Sequence, residues 1–168
     1  MDCAKAMVYF SGLKPKLIAI PTTSGSGSEV TDFAILTHGG VKHPLVDPAL
    51  RPEVAILDGA LVAGLPPALI ADGGFDALTH ALEAYTAQNA GIISDSLALH
   101  SFQQGYCLLK RSFEGDADAR AVMHTAATAA GMAFSSAGLG LCHALAHSLG
   151  GALHLPHGRL NAILLPAV

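Results

Sequence analysis

Hydrophobic and polar positions change their rhythm once along this chain. Residues 16–21 read as a short buried strand stopped by Pro21, and residues 30–37 alternate enough to predict a second strand that ends in a Gly39-Gly40 turn. Two further short strands are expected at 42–46 and 54–57, with a helix over 2–9 leading into the first. After Leu65-Pro66-Pro67 the strand-like segments cease and alanine-rich helical stretches follow, predicted at 76–87, 94–109, 117–133 and 142–149. Pro67 suits the opening of a helix, Asp116 suits an N-cap, and Gly150-Gly151 is expected to end the last helix. The pattern predicts an α/β part over 1–66 and an all-helical part over 67–168.

Composition narrows the function. The 168 residues are 51% hydrophobic and 13% charged, with a net charge of −4, so a core is expected and no basic stripe exists to neutralise nucleic-acid phosphates. No apolar run is long enough for a membrane span, and the N-terminus lacks the pattern of a secretory signal. Cys3, Cys107 and Cys142 lack disulfide or metal spacing and are expected to be packing residues in a reducing, cytoplasmic compartment.

Nine histidines make position the deciding question. Asp76 and His80 are four apart, as are His143 and His147, so each pair shares one helical face amid apolar neighbours. His157 follows in Pro156-His157-Gly158, read as a turn. A carboxylate and several imidazoles in apolar surroundings need compensation, and a divalent metal supplies it: one carboxylate and three imidazoles form a first shell for Fe2+ or Zn2+. His38, His43, His100, His124 and His154 have no such partners and are read as ordinary helix or loop residues. Thr22, Thr23, Gly25 and Ser26 belong to a Ser/Gly-rich stretch whose backbone N–H groups and hydroxyls suit phosphate or ribose oxygens; a plain flexible turn has the same composition, and the residues alone favour that reading.

The motifs at 21–31, 74–85, 138–150 and 156–166 have the order and spacing of the iron-containing alcohol dehydrogenase family, which the chain closely resembles over nearly its whole length. That resemblance implies a dehydroquinate synthase-like fold, here an α/β remnant of a dinucleotide-binding domain (1–66) followed by an all-α metal-binding domain (67–168). It implies Asp76, His80, His143 and His157 as metal ligands, His147 as a proton-relay group near the nicotinamide, and Thr22, Thr23, Gly25, Ser26 and Lys42 beside the cofactor. The implied reaction is metal-assisted hydride transfer between a small alcohol or aldehyde and NAD, with NADP open, and with Fe2+ or alternatively Zn2+. Two other readings stand beside it: a non-catalytic metal-binding or assembly module derived from such an enzyme, and a zinc-dependent relative such as a glycerol dehydrogenase.

Some positions depart from the family's pattern. The family's Gly-Gly-Gly-Ser phosphate loop would precede Asp2, further helices would follow Val168, and Gly73 stands where a threonine is usual. The chain is therefore read as truncated at both ends, with apolar faces that favour homo-oligomers or other association. The chain alone is expected to bind nicotinamide dinucleotide weakly and to have little or no dehydrogenase activity. Cofactor fluorescence titration and a steady-state alcohol assay check this, and ordinary dehydrogenase turnover would refute it.

Overall fold

The computed structural model describes residues 1–13 and 15–168. Helix α1 (Asp2–Ser11) leads to β1 (Ile18–Ala19), β2 (Phe33–His38), β3 (Val41–Val46) and β4 (Val54–Ala55). Helices α2 (Pro67–Thr86), α3 (Ile92–Phe113), α4 (Ala117–Ala137), α5 (Leu141–Leu153) and α6 (His157–Leu164) follow. β1 and β4 pair in parallel, Ile18 opposite Val54. β2 and β3 form an antiparallel hairpin, Phe33 opposite Val46 and His38 opposite Val41. Its turn is the expected Gly39-Gly40 pair, both residues at positive φ (58° and 77°), which suits a two-residue hairpin connection.

α1 is pinned to the hairpin by a buried amine. Lys5 Nζ donates to the Thr31 carbonyl at 2.6 Å and to the Phe33 carbonyl at 2.9 Å. Burial lowers its pKa to about 8 despite the nearby carboxylates of Asp2, Asp32 and Glu29. Helices α2, α3 and α4 pack against one another, α6 packs on α2 and α5, and α5 also touches β3. The core between α2, α3 and α4 is made of small residues, Ala84, Ala98, Ala133 and Ala137 around Phe134, so the helix backbones lie close together.

Several boundaries differ from the sequence expectation, each for a local reason. The second strand begins at Phe33, not at residue 30, because residues 28–30 form a turn in which the Val30 N–H donates to the Gly27 carbonyl at 3.1 Å. α2 begins at Pro67 and runs through Gly73-Gly74, nine residues ahead of its predicted start. Pro67 opens it, as its place in the sequence suggested, and the two glycines each accommodate a neighbour: a methyl on Gly73 would strike the Ser24 carbonyl, and one on Gly74 would strike Leu109. α5 likewise passes through Gly150-Gly151, where a methyl on Gly151 would meet the Gly40 carbonyl, and it ends at His154 in the left-handed region (φ 54°). His157 is no turn residue; it opens α6. Cys142 is buried, but Cys3 and Cys107 are exposed, against the expectation that all three serve the core. No single helix among the described residues is long and apolar enough to cross a membrane.

The loop at 22–28 lies against α2 and α4 through glycine contacts. A methyl on Gly25 would stand 2.8 Å from Gly73 Cα, and one on Gly131 would stand 2.9 Å from Gly27 Cα. In an exposed helix, Gly→Ala stabilises by about 1 kcal/mol. At Gly131 the contact is with backbone, which cannot rotate away, so Gly131→Ala is expected to destabilise by about 1–3 kcal/mol. Urea unfolding checks the sign, and a stabilised variant would refute the close-approach account.

Candidate metal centre

Asp76, His80 and Glu83 lie at i, i+4 and i+7 on α2, one face of the helix, and all three are buried. His143 comes from the first turn of α5, His147 from its next turn, and His157 from the first turn of α6. The Nε2 atoms of His80, His143 and His157 face one oxygen, Asp76 Oδ1, at 3.9, 3.6 and 3.6 Å. These gaps are too long for hydrogen bonds. Ligand atoms about 2.1 Å from a shared ion in a tetrahedral shell stand about 3.4 Å apart, which is close to this spacing. Asp76, His80 and His143 offer donor atoms all within 4.8 Å of one another. His157 lies outside that tight group, on the more open side, with 23% of its side chain exposed.

The rings form a stack. His80 lies between Phe134 and His143, with centroids 4.4 Å away on both sides, and His157 stacks on His147 at 4.6 Å. Burial pushes the His80 pKa down to about 3, with Asp76 opposing and the other imidazoles adding to the fall. Burial, His157, His143 and Lys42 push His147 down to about 4, and burial lowers His157 as well. Their ring nitrogens therefore keep free lone pairs at neutral pH. Burial alone would raise Asp76, but His80, His143 and His157 outweigh it and hold the carboxyl well below its usual range. His143 goes the other way: burial lowers it, and Asp76 and Glu83 more than reverse that.

Three supporting residues escaped the sequence reading. Glu83 Oε2 accepts from His143 Nδ1 at 2.5 Å. Asn161, fully buried, places Nδ2 at 2.8 Å from Asp76 Oδ1 and 3.1 Å from His143 Nε2. Cys142 Sγ lies 3.6 Å from the Asn161 carbonyl oxygen and 3.7 Å from its Oδ1, on the side of the amide away from Asp76 Oδ1. The signal for the first two lay in helical spacing: Glu83 continues the Asp76/His80 face, and Asn161 lies four after His157. His124, read as ordinary, is buried and shares a 2.9 Å hydrogen bond with Ser24 Oγ, tying α4 to the 22–28 loop.

A cavity of about 280 Å³ opens beside this cluster. Ser26, Lys42 and His147 line it together with Asp76, His80, His143 and His157, and Phe33, Ile35, Phe134 and Leu139 give it an apolar side. Thr22 and Thr23 are exposed and do not line it, and Gly25 is buried against Gly73. The 22–28 loop thus brings one of its four candidates, Ser26, to the cavity.

Two family descriptions match the chain: iron-containing alcohol dehydrogenase over residues 1–59, and the C-terminal part of the Fe-containing alcohol dehydrogenase family over residues 70–168. The fold and cluster therefore have a defined class: the chain belongs to the iron-containing alcohol dehydrogenase family, with an incomplete α/β part followed by a helical part. It is 50% identical to the 1-propanol dehydrogenase PduQ of Citrobacter freundii over 176 aligned residues, covering 100% of this chain and 48% of that protein. An iron-containing alcohol dehydrogenase structure from Thermococcus thioreducens superposes with a TM-score of 0.87 at 49% identity, covering 92% of this chain and 40% of that one. The sulfoacetaldehyde reductase of Bifidobacterium kashiwanohense, solved in complex with NAD+, superposes at 0.86 with 33% identity, covering 90% and 42%. The chain spans about half the length of the curated relatives it matches.

The imidazole shifts carry a pH consequence. With divalent ions chelated, His80 and His147 bind fewer protons in the folded chain than in the unfolded one between pH 6.5 and their folded values of about 3 and 4. Stability therefore falls as pH drops through that window, and the depressed His157 acts in the same direction; the depressed Asp76 adds to the fall only below its ordinary value of 3.8. Only His143, raised in the folded state, opposes this among the cluster's imidazoles. The urea midpoint is expected to decline from pH about 7 to about 5, and His147→Gln to flatten the slope. A midpoint constant across that range would refute the assignment.

Proposed function

We propose that this chain carries the divalent-metal centre and the nicotinamide-facing surface of an alcohol dehydrogenase, one that moves a hydride between a small alcohol or aldehyde and NAD or NADP. The observation that carries this reading is the convergence of three imidazole Nε2 atoms on Asp76 Oδ1. Asp76, His80, His143 and His157 would hold the ion. Iron is the metal in the family's description; these donors suit Fe2+, and they accept Zn2+ as well.

When bound, the ion supplies Lewis acidity toward a substrate oxygen. The chain's own residues supply position. The cavity suits a nicotinamide ring with a small alcohol, not a whole dinucleotide. Phe33, Ile35 and Leu139 offer an apolar face for the ring, while Ser26 and Lys42 offer polar groups at its edge. His147, neutral at pH 7, has a ring nitrogen able to take the proton released from a substrate hydroxyl. Thr22, Thr23 and Gly25 belong to the same loop and would act at the cofactor only beyond this cavity.

The same reading divides the chain at residues 66 and 67, with a cofactor-facing part before and a metal-holding part after. Apolar side chains such as Ile92 (82% exposed) and Tyr106 (77%) favour association of chains in solution.

Anaerobic titration with Fe2+ or Co2+ tests the proposal. A single ion per chain is expected, falling to background in Asp76→Ala and His143→Ala variants that keep their helical circular dichroism. NADH fluorescence measured alongside separates the two functional classes, because metal binding with no response to nicotinamide would favour a non-catalytic metal-binding module.

A further inference from the structure

We infer that Glu83 is a positioning residue that fixes which nitrogen of His143 carries the ring proton, and so directs Nε2 at the metal position. The inference rests on the metal reading above and concerns a residue outside the proposed ligand set. A histidine with one ring proton has two forms, and only the Nδ1-protonated form presents a lone pair on Nε2. Glu83 is buried, and its Oε2 stands 2.5 Å from His143 Nδ1. A carboxylate there accepts, so Nδ1 must donate. On the other edge of the ring, Asn161 Nδ2 lies 3.1 Å from His143 Nε2 and donates toward it, which also requires a lone pair at that atom.

The rest of Glu83 is built to prevent any other arrangement. Its Oε1 accepts from the Cys142 backbone N–H at 2.7 Å, and its Oε2 also lies 3.4 Å from the His143 N–H. These are orphan donors of the first turn of α5, whose N-cap, Gly140, has no side chain to serve them. Glu83 therefore caps α5 from another helix, 59 positions away in sequence from Cys142. A methyl at Gly140 would stand 2.8 Å from Oε1, so the glycine keeps the space that the carboxylate fills. One carboxylate thereby locks the helix that carries His143 and the ring itself. Metal-ligating histidines commonly donate their second N–H to a carboxylate, and loss of that partner costs about 10–100-fold in metal affinity.

The test uses the whole chain. Histidine 15N NMR on ion-free protein, at a pH where the His143 ring holds one proton, is expected to place that proton on Nδ1; finding it on Nε2 would overturn the inference. In Glu83→Leu, Co2+ affinity measured by competition with a chromophoric chelator is expected to fall about 10–100-fold. A folded Glu83→Leu chain with affinity within about 3-fold of the parent would overturn it too, because a residue that only caps α5 would lower the unfolding midpoint and leave affinity alone. Should the variant fail to fold, the tautomer in the parent chain decides. Should the parent bind no Co2+, the metal reading fails, and the tautomer still judges the hold of Glu83 on the ring.

Discussion

A buried carboxylate facing three imidazoles is the constraint around which this chain is arranged. Removing an ionised carboxyl from water costs several kcal/mol even after relaxation, and the cost is recovered only where partners surround it. Asp76 has the Asn161 amide as one such partner, and the Nε2 atoms that face it from His80, His143 and His157 leave the rest of the compensation to a shared cation. The imidazoles have a matching problem, because four rings clustered as two stacked pairs cannot all carry charge. Burial and mutual repulsion leave most of them neutral, and neutral rings are the ones with electron pairs to give. The same electrostatics that make the cluster costly to fold make it suited to a cation.

Meeting that constraint demands that α2, α5 and α6 approach more closely than ordinary side chains allow. Glycine supplies the clearance. Gly158 sits directly behind His157, where a methyl would overlap the Asp72 carbonyl, so the first turn of α6 rests on the backbone of α2. Arg159 then ties α6 to the same turn of α2 through Asp72, at 3.2 Å. Gly140 leaves room for Glu83, and Gly73 and Gly25 let the cavity-lining loop lie on α2. Each glycine inside a helix gives up about 1 kcal/mol of propensity. The close approach it permits is what brings donor atoms from separate helices to within a few ångströms.

This exchange also explains what could be read from the sequence and what could not. The i, i+4 pairs Asp76/His80 and His143/His147 were legible because helical periodicity is local, and the structure does bring Asp76, His80, His143 and His157 together. The change from strands to helices near Pro67 was legible for the same reason. Glycine was one source of error. Gly150-Gly151 read as a helix end, yet propensity lost to a contact with the Gly40 carbonyl, which is not near in sequence. The Ser/Gly stretch at 22–28 is not the loose turn its composition allowed: Gly25 packs it against Gly73 and Ser24 holds it to His124, while Ser26 lines the cavity.

Glu83 shows where local reasoning could have gone further. Its partners on α5 lie about sixty positions away, so no spacing rule reveals the hydrogen bonds themselves. Its place on the face of Asp76 and His80 was nonetheless fixed by helix geometry. A glutamate at the third position of a buried polar stripe poses the same energetic question as the aspartate at the first: what compensates it? For Asp76 it is the Asn161 amide together with the cation that the facing imidazoles would share. For Glu83 it is one imidazole N–H and the unpaired N–H groups at the start of a helix, donors that every α-helix must satisfy somehow. A single stripe on α2 thus reaches both the donor atoms of the cluster and, through Glu83, the first turn of a neighbouring helix.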